Sequence, residues 1–204
     1  MFYWIGRFVS VVIVKWFLGL EVIGLENIRE LKAFIIASNH CSNLDPMAIG
    51  ASLKRRVRFF AKKELTQIKY FSWITKRLAL ILIDRKGFDR AALREALAVL
   101  HNGEILAVFP EGTRSVDGKL GEAKAGVSIF AFSAKVPVVP VCVQGTNKAL
   151  PAGARSIKRH KIRLIFGKPI IPPSDVSREN KKILYENFAD RIMREIDLLG
   201  KEKD

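Results

Sequence analysis

The chain has 204 residues and a formal net charge of +15, and 49% of its residues are hydrophobic. This length suits one α/β domain with a substantial core and is short for two domains. The charge predicts an anionic partner, and nucleic acid, a lipid surface or a phosphorylated substrate would all satisfy it. The two cysteines, Cys41 and Cys142, are far apart and lack CxxC spacing. A disulfide framework and a cysteine-based zinc site are therefore not expected.

The N-terminal stretch, residues 1–20, is apolar and aromatic but is interrupted by Arg7, Ser10 and Lys15. At about 100° per residue these polar positions lie on one side of a helix and leave a broad apolar face. The charges break any transmembrane run, and the small-residue cleavage site of a signal peptide is absent. We expect an amphipathic helix in the membrane interface, with its cations toward anionic lipid. The alternative is a helix packed on the protein's own sheet.

The stretch from Asn39 to Pro46 follows an apolar run, residues 33–37, that predicts a buried strand. Ligands of α/β proteins usually bind at such strand ends. In a tight turn the carboxylate of Asp45 can reach the imidazole of His40, fix its tautomer and stabilise the imidazolium. Asp45 before Pro46 is also an ordinary helix start, with Asp as N-cap. A Cys41 nucleophile beside His40 is a weaker alternative, since adjacent loop residues rarely face each other.

The rest of the chain alternates between apolar runs and helical patterns. Strands are predicted at residues 20–23, 57–61, 79–83, 105–109 and 136–143, with an edge strand at 162–166. Helices are predicted at residues 47–53, 64–77, 89–100, 126–135 and 178–199, the third of them capped by Asp89. This alternation predicts an α/β fold with a mostly parallel central sheet flanked by helices.

Four short motifs occur in a fixed order between Phe34 and Val143. They are His40-x-x-x-x-Asp45, Ile83-Asp84-Arg85, Phe109-Pro110-Glu111-Gly112-Thr113-Arg114-Ser115 and Val136-Pro137-Val138-Val139-Pro140-Val141. Together they resemble the four sequence blocks of the glycerolipid acyltransferase family, and most closely its bacterial 1-acyl-glycerol-3-phosphate acyltransferase branch. Each block alone is weak, whereas four in order form a specific signal.

The resemblance implies transfer of a fatty acyl group from a thioester to the hydroxyl of lysophosphatidic acid, giving phosphatidic acid. It divides the chain into a membrane-associated helix, residues 1–20, and an acyltransferase domain, residues 21–204. His40 would be the general base and Asp45 its orienting partner. The substrate-binding residues that it implies are Arg85, Glu111, Gly112, Thr113 and Arg114. Lys63 is added as a cation that flanks the predicted pocket in sequence.

The residue chemistry agrees with this assignment. A glycerol hydroxyl is too weakly acidic to ionise near neutral pH, so its attack on a thioester needs a general base. Arg85 and Arg114 follow separate strands and could grip one phosphate through bidentate contacts. The tetrahedral intermediate also needs an oxyanion hole, for which backbone amides of the His40 loop are candidates. No cofactor or metal is implied beyond the acyl donor, either acyl-CoA or acyl carrier protein.

Several alternatives remain open at the level of sequence. The acceptor could be glycerol-3-phosphate or another lysolipid, since the same chemistry would serve them. A hydrolase could use His40 and Asp45 to activate water. A nucleic-acid-binding protein is the other class, with the basic run at residues 155–163, but exposed aromatics among those cations are missing. We expect membrane lipid rather than nucleic acid as the partner, and a monotopic or peripheral location on the cytoplasmic face of the cell membrane.

Overall fold

A computed structural model of the chain describes residues 2–64, 80–84, 89–115, 118–174 and 180–201. In these ranges seven strands form one sheet: β1 Glu21–Ile23, β2 Phe34–Ser38, β3 Val57–Lys62, β4 Ile81–Ile83, β5 Ile105–Val108, β6 Val138–Gln144 and β7 Arg163–Phe166. The α-helices there are α1 Phe2–Val11, α2 Asp45–Ser52, α3 Arg90–His101, α4 Gly126–Ala134, α5 Thr146–Ala149 and α6 Lys181–Lys201. A π-helical segment, Val12–Phe17, continues α1, and a 3₁₀ turn covers Leu25–Ile28.

The strand order is β1-β7-β6-β2-β5-β3-β4. Strands β2 to β6 are parallel to their neighbours among themselves, whereas β7 pairs antiparallel with β6 and parallel with β1. The predicted α/β fold with a mostly parallel sheet is therefore confirmed. The prediction of an edge strand at residues 162–166 is wrong, because β1 covers the outer side of β7.

The centre of the sheet is β2, which lies between β6 and β5. All five of its residues are buried, because the strand is covered on both faces. Phe34 and Ile36 belong to the core on the side of α2, while Ile35 and Ala37 belong to the core beneath α3, α4 and α6. This double coverage explains why the strand is a continuous apolar run instead of an alternating one.

The N-terminal helix lies against α2. Val14 and Leu18, just beyond α1, are buried in the same core as α2, so one side of this segment packs on the protein itself. The expectation that the cations of residues 1–20 face lipid is wrong for Arg7, whose Nε donates a 2.8 Å hydrogen bond to the carbonyl oxygen of Leu53 at the end of α2. No helix in the described part of the chain has the length and apolar character to cross a membrane.

The remaining predictions for single elements are mostly confirmed. Helix α3 begins after Asp89, whose Oδ1 accepts 3.0 Å hydrogen bonds from the backbone N–H groups of Ala91 and Ala92. The C-terminal helix packs on β6, as its helical spacing of apolar residues predicts. Residues 65–79 lie outside the described ranges, and with them most of the predicted helix 64–77.

Candidate active site

His40 and Asp45 are in direct contact just beyond the end of β2. The Nδ1 atom of His40 lies 2.8 Å from Oδ2 of Asp45, and the Asp45 side chain is completely buried. The imidazole stacks on Phe109, with ring centroids 3.9 Å apart and an interplanar angle of 15°. An ionised carboxylate can only accept, so this contact places the proton on Nδ1 and leaves Nε2 as the basic nitrogen. The ring is thus held in one tautomer and one orientation.

The same carboxylate oxygen also organises the loop between the two residues. Oδ2 of Asp45 accepts hydrogen bonds from the backbone N–H groups of Cys41 at 2.7 Å and Ser42 at 2.8 Å. Helix α2 starts at Asp45 itself, with Leu44 at the N-cap, so the alternative of Asp45 as N-cap is wrong. Asp45 folds its side chain back onto the loop because three donors converge there.

Four of the loop amides proposed for an oxyanion hole are already engaged. The N–H groups of Cys41 and Ser42 bind Asp45, that of Leu44 binds Oγ of Ser42 at 3.2 Å, and that of His40 binds Glu111 at 3.0 Å. A donor committed to a buried acceptor gives little to a developing negative charge without first losing that bond. These four amides are therefore poor oxyanion donors.

Glu111 of the third motif lies beneath the His40 loop. Its Oε1 accepts from the N–H of His40, and its Oε2 accepts from the N–H of Gly121 at 3.3 Å. Only 7% of the residue is exposed. Burial raises the pKa of Glu111 above its usual range, although both backbone hydrogen bonds act against that rise. The carboxylate thus ties two loops together, which the sequence analysis did not anticipate when it assigned Glu111 to the acceptor.

Asn39 fixes the loop to the neighbouring strand. Its side-chain amide exchanges two hydrogen bonds with the backbone of Val143 in β6, Nδ2 to the carbonyl oxygen at 2.9 Å and the N–H to Oδ1 at 2.7 Å. On the other side, the N–H of Ser115 donates to the carbonyl oxygen of His40 at 2.7 Å. The sequence analysis gave no role to Asn39 or Phe109; position at the end of a buried strand was the only signal for either.

The third motif presents its other polar residues to solvent beside His40. Thr113 and Arg114 are exposed, and Nη1 of Arg114 donates a 3.0 Å hydrogen bond to Oδ1 of Asn43. Gly112 has φ +73°, and a Cβ atom there would lie 3.0 Å from Nζ of Lys124. Glycine is favoured here for two reasons, since a side chain would be strained in this conformation and its Cβ would crowd the end of Lys124.

The two remaining predicted substrate-binding residues are Lys63 and Arg85, and the structure describes only the first. Lys63 is exposed and follows β3. It lies near Asp89, whose pKa is held below its usual range by hydrogen bonds from the backbone of Ala92 and Asp84 and further by the charge of Lys63. Arg85 lies outside the described residues. Strand β4, which carries Ile83 of the second motif, is separated from β5 by β3, so two strand spacings of about 4.8 Å lie between β4 and the strand that precedes the third motif.

An apolar cavity of about 310 Å³ opens beside His40. Side chains of β3, β4, α3 and α4 line it, among them Phe60, Ile83, Leu93, Val127, Ile129 and Phe130. Gly112 and Lys124 lie at the same cavity. It places His40 beside a mainly apolar interior whose charged lining residues are Asp84, Asp89 and Lys124, which suits a hydrocarbon chain next to a polar reacting group.

Neither cysteine has the character of a nucleophile. Both thiols are buried and unpaired. Burial, with the nearby charge of Asp45, raises the pKa of Cys41 to about 12, and burial raises that of Cys142 to about 11. The thiolate is the reactive form of cysteine, and it is scarcely populated near neutral pH at such values. The alternative of a Cys41 nucleophile therefore has no support.

A sequence model of the family described as "Acyltransferase" matches residues 19–144, which carry His40, Asp45 and the third motif. The chain belongs to this acyltransferase family. A solved structure resembles it over nearly its whole length: the crystal structure of the 1-acyl-sn-glycerophosphate (LPA) acyltransferase PlsC from Thermotoga maritima. The TM-score is 0.76 and the sequence identity 30%, and the match covers 99% of this chain and 81% of the other.

Two relatives agree with this structural likeness. The "Probable 1-acyl-sn-glycerol-3-phosphate acyltransferase" of Mycoplasma pneumoniae is 32% identical over 189 residues, covering 86% of this chain and 68% of that protein. The 1-acyl-sn-glycerol-3-phosphate acyltransferase of Bacillus subtilis is 30% identical over 153 residues, covering 74% of each. The match thus extends beyond the region of the family model, to most of the chain.

Proposed function

We propose that this protein transfers a fatty acyl group from a thioester to the sn-2 hydroxyl of 1-acyl-glycerol-3-phosphate and forms phosphatidic acid. The observation that carries the proposal is the contact between His40 and the buried Asp45 at the end of β2, in a chain that belongs to the acyltransferase family. The names of its relatives specify this acceptor. Glycerol-3-phosphate or another lysolipid remains the second candidate.

His40 acts as the general base. Its Nε2 takes the proton of the acceptor hydroxyl as the oxygen attacks the thioester carbon. Asp45 stabilises the resulting imidazolium through the 2.8 Å contact to Nδ1. The tetrahedral intermediate collapses with cleavage of the C–S bond, and the imidazolium returns the proton to the departing thiolate. Ester and free thiol form with no residue left acylated, so this path uses a ternary complex and needs no protein nucleophile.

The acceptor's phosphate binds beside the third motif. Arg114 offers a planar guanidinium, and Thr113 adds a hydroxyl, both exposed next to the His40 loop. Arg85 and Lys63 complete the set of cations. An acyl chain occupies the apolar cavity that His40 shares with Phe130. Glu111 positions the His40 loop through its two backbone contacts.

The protein works at the surface of the cell membrane, on the cytoplasmic face. Large apolar side chains of the N-terminal segment point away from the protein, with 52% of Trp4, 67% of Phe8 and 79% of Trp16 exposed. Tryptophan and phenylalanine are favoured at the lipid headgroup level, and the excess of cations favours anionic lipid. The acceptor is itself a lipid, so this segment brings the site to its substrate. The donor is acyl-CoA or acyl carrier protein, and no further cofactor takes part.

The test follows free thiol released from palmitoyl-CoA by the detergent-solubilised protein, with and without lysophosphatidic acid. Thiol is expected only with acceptor present. His40→Ala should lower kcat by at least about 10²-fold, as expected for loss of a general base. His101→Ala, at an exposed histidine ending α3, is the matched control and should retain wild-type activity.

Arg114→Ala should mainly raise the KM for lysophosphatidic acid, by about ten-fold, because it removes a charge-assisted contact to phosphate. Arg191→Ala on the exposed side of α6 is its control. Glycerol-3-phosphate in place of the lysolipid decides between the two acceptors. Thiol release that ignores the acceptor would indicate a hydrolase, and release that survives His40→Ala would exclude the mechanism.

A further inference from the structure

A second, larger depression borders the His40 loop and shares no lining residue with the apolar cavity. This basic groove, defined by residues of α5, α6, β6 and the start of β7, has a volume of about 1000 Å³. Apolar residues line it from beneath, among them Val143, Met193 and Ile196, and these three are almost completely buried. Asn39 and Cys41, the two residues that flank His40, form part of its wall. The groove therefore adjoins the active-site loop at the two neighbours of His40.

The groove carries a strong excess of positive charge. Among the described residues it is lined by Lys119, Lys148, Lys161, Arg163, Arg194 and Lys201 against one carboxylate, Asp197. Asp197 is bound to Lys201, and Glu21 is shared by Lys161 and Arg163, at 3.0 Å from each. Lys148 and Arg194 form no ion pair within the part of the chain that the structure describes. Cations gathered around a concave, partly apolar surface are suited to a phosphorylated organic ligand.

The two depressions differ in charge, and each is lined by residues of the His40 loop. The imidazole itself lines the apolar cavity, while its neighbours Asn39 and Cys41 line the basic groove. An acyl thioester of coenzyme A also has an apolar part and a charged part, because a hydrocarbon chain and a polyanionic nucleotide lie on opposite sides of the reacting carbonyl. A thioester placed at His40 can therefore extend its chain into one depression and its phosphates toward the other.

We propose that the basic groove binds the phosphorylated adenosine part of coenzyme A, which makes acyl-CoA a donor of this enzyme. Lys148 on α5 and Arg194 on α6 contact its phosphates from two sides. This inference rests on the proposed function and assigns the place of its donor. A concave site suits a small molecule, whereas a bilayer or the convex surface of a carrier protein would need a flat or protruding face.

The first test measures binding without catalysis. Adenosine 3′,5′-bisphosphate is titrated by calorimetry into the full-length protein in detergent at low ionic strength, with unphosphorylated adenosine as the control ligand. The bisphosphate should bind and adenosine should not. Charge reversal by Lys148→Glu or Arg194→Glu should raise the Kd by about ten-fold or more, because it replaces a charge-assisted contact with repulsion. Lys168→Glu changes the net charge equally, lies outside the groove and should leave the Kd unchanged.

The second test is kinetic. The same two substitutions should raise the KM for palmitoyl-CoA by about ten-fold while leaving kcat and the KM for lysophosphatidic acid within about two-fold. Equal bisphosphate binding by wild-type protein and both variants would overturn the proposal. So would variants that raise the KM only for acyl carrier protein substrates, or that weaken only binding to phosphatidylglycerol vesicles. If the wild-type enzyme does not turn over palmitoyl-CoA, the proposed function fails, and the calorimetry still decides whether the groove binds the nucleotide.

Discussion

The contribution of the negative charge of Asp45 to catalysis can be separated from that of its hydrogen-bonding geometry with Asp45→Asn. In the wild-type protein Oδ2 accepts from His40, Cys41 and Ser42, while the buried Oδ1 has no hydrogen-bond partner among the described residues. The oxygen of the introduced amide can keep all three contacts, with its NH₂ group in the place of Oδ1. The substitution is therefore nearly isosteric. It removes the negative charge and also buries an NH₂ group where Oδ1 has no hydrogen-bond partner, at a cost of about 1–3 kcal/mol in stability.

The expected effect on catalysis follows from the contact distance. Two unit charges 2.8 Å apart interact by about 6 kcal/mol at an effective permittivity of about 20. This interaction exists only when His40 is protonated, so it acts in the transition state and not in the resting enzyme. At about 1.36 kcal/mol per factor of ten, its loss corresponds to a decrease in kcat of roughly 10⁴-fold, with 10³-fold expected after partial screening.

The assay is thiol release at saturating lysophosphatidic acid, with thermal unfolding measured on the same samples. Asp190→Asn removes one exposed carboxylate from α6 and serves as the matched control, with unchanged kcat. A variant at Asp45 that folds normally and keeps more than about a tenth of the wild-type kcat would refute the electrostatic argument. A kcat loss accompanied by unfolding would instead show that the three hydrogen bonds do not survive the substitution.

Three further predictions concern the surroundings of the pair. Glu111→Gln should destabilise the protein by about 1–3 kcal/mol in chemical denaturation, because the amide replaces one of two acceptor oxygens with a donor that faces an N–H group. Gly112→Ala and Gly103→Ala should each cost about 1–2 kcal/mol for a positive φ. Only Gly112 belongs to the third motif, beside which the acceptor's phosphate is proposed to bind, so only Gly112→Ala should raise the acceptor KM; equal kinetics would contradict this. Iodoacetamide at pH 8 should leave Cys41 unmodified in the folded protein and label it in urea, since its pKa is raised to about 12.

The fold could be predicted largely because most of its strands are recognisable as short apolar runs in the sequence. A five-residue apolar run such as β2 must be buried on both faces, and repeated alternation with helices leaves few topologies besides a parallel sheet. The wrong edge at β7 has a specific cause. Its partner β1 has only three residues, and their pairing, from Glu21 opposite Arg163 to Ile23 opposite Ile165, joins segments that are distant in sequence. Local pattern carries no information about such a pairing.

In the candidate site, too, contacts between residues close in sequence could be predicted and contacts between distant residues could not. The contact between His40 and Asp45 spans five positions, so a turn geometry could be inferred from spacing alone. The bond from the His40 N–H to Glu111 spans 71 positions, and the exchange between Asn39 and Val143 spans 104. These contacts depend on β5 and β6 lying on either side of β2. The sequence predicted a mostly parallel sheet but not this order of strands. The contacts that support the loop could therefore not be predicted from the sequence, although the pair of His40 and Asp45 could.

The paired hydrogen bonds between Asn39 and Val143 also bear on how the enzyme loses activity when it is heated. They extend the pairing of β2 with β6 past the last residue of the strand, and the bond from Ser115 to His40 adds a tie toward β5. Local opening of the catalytic loop would break contacts to both neighbouring strands, so the loop belongs to the same cooperative unit as the sheet. Amide exchange at Val143 should match that of the central strands, and thermal inactivation should coincide with global unfolding and not precede it.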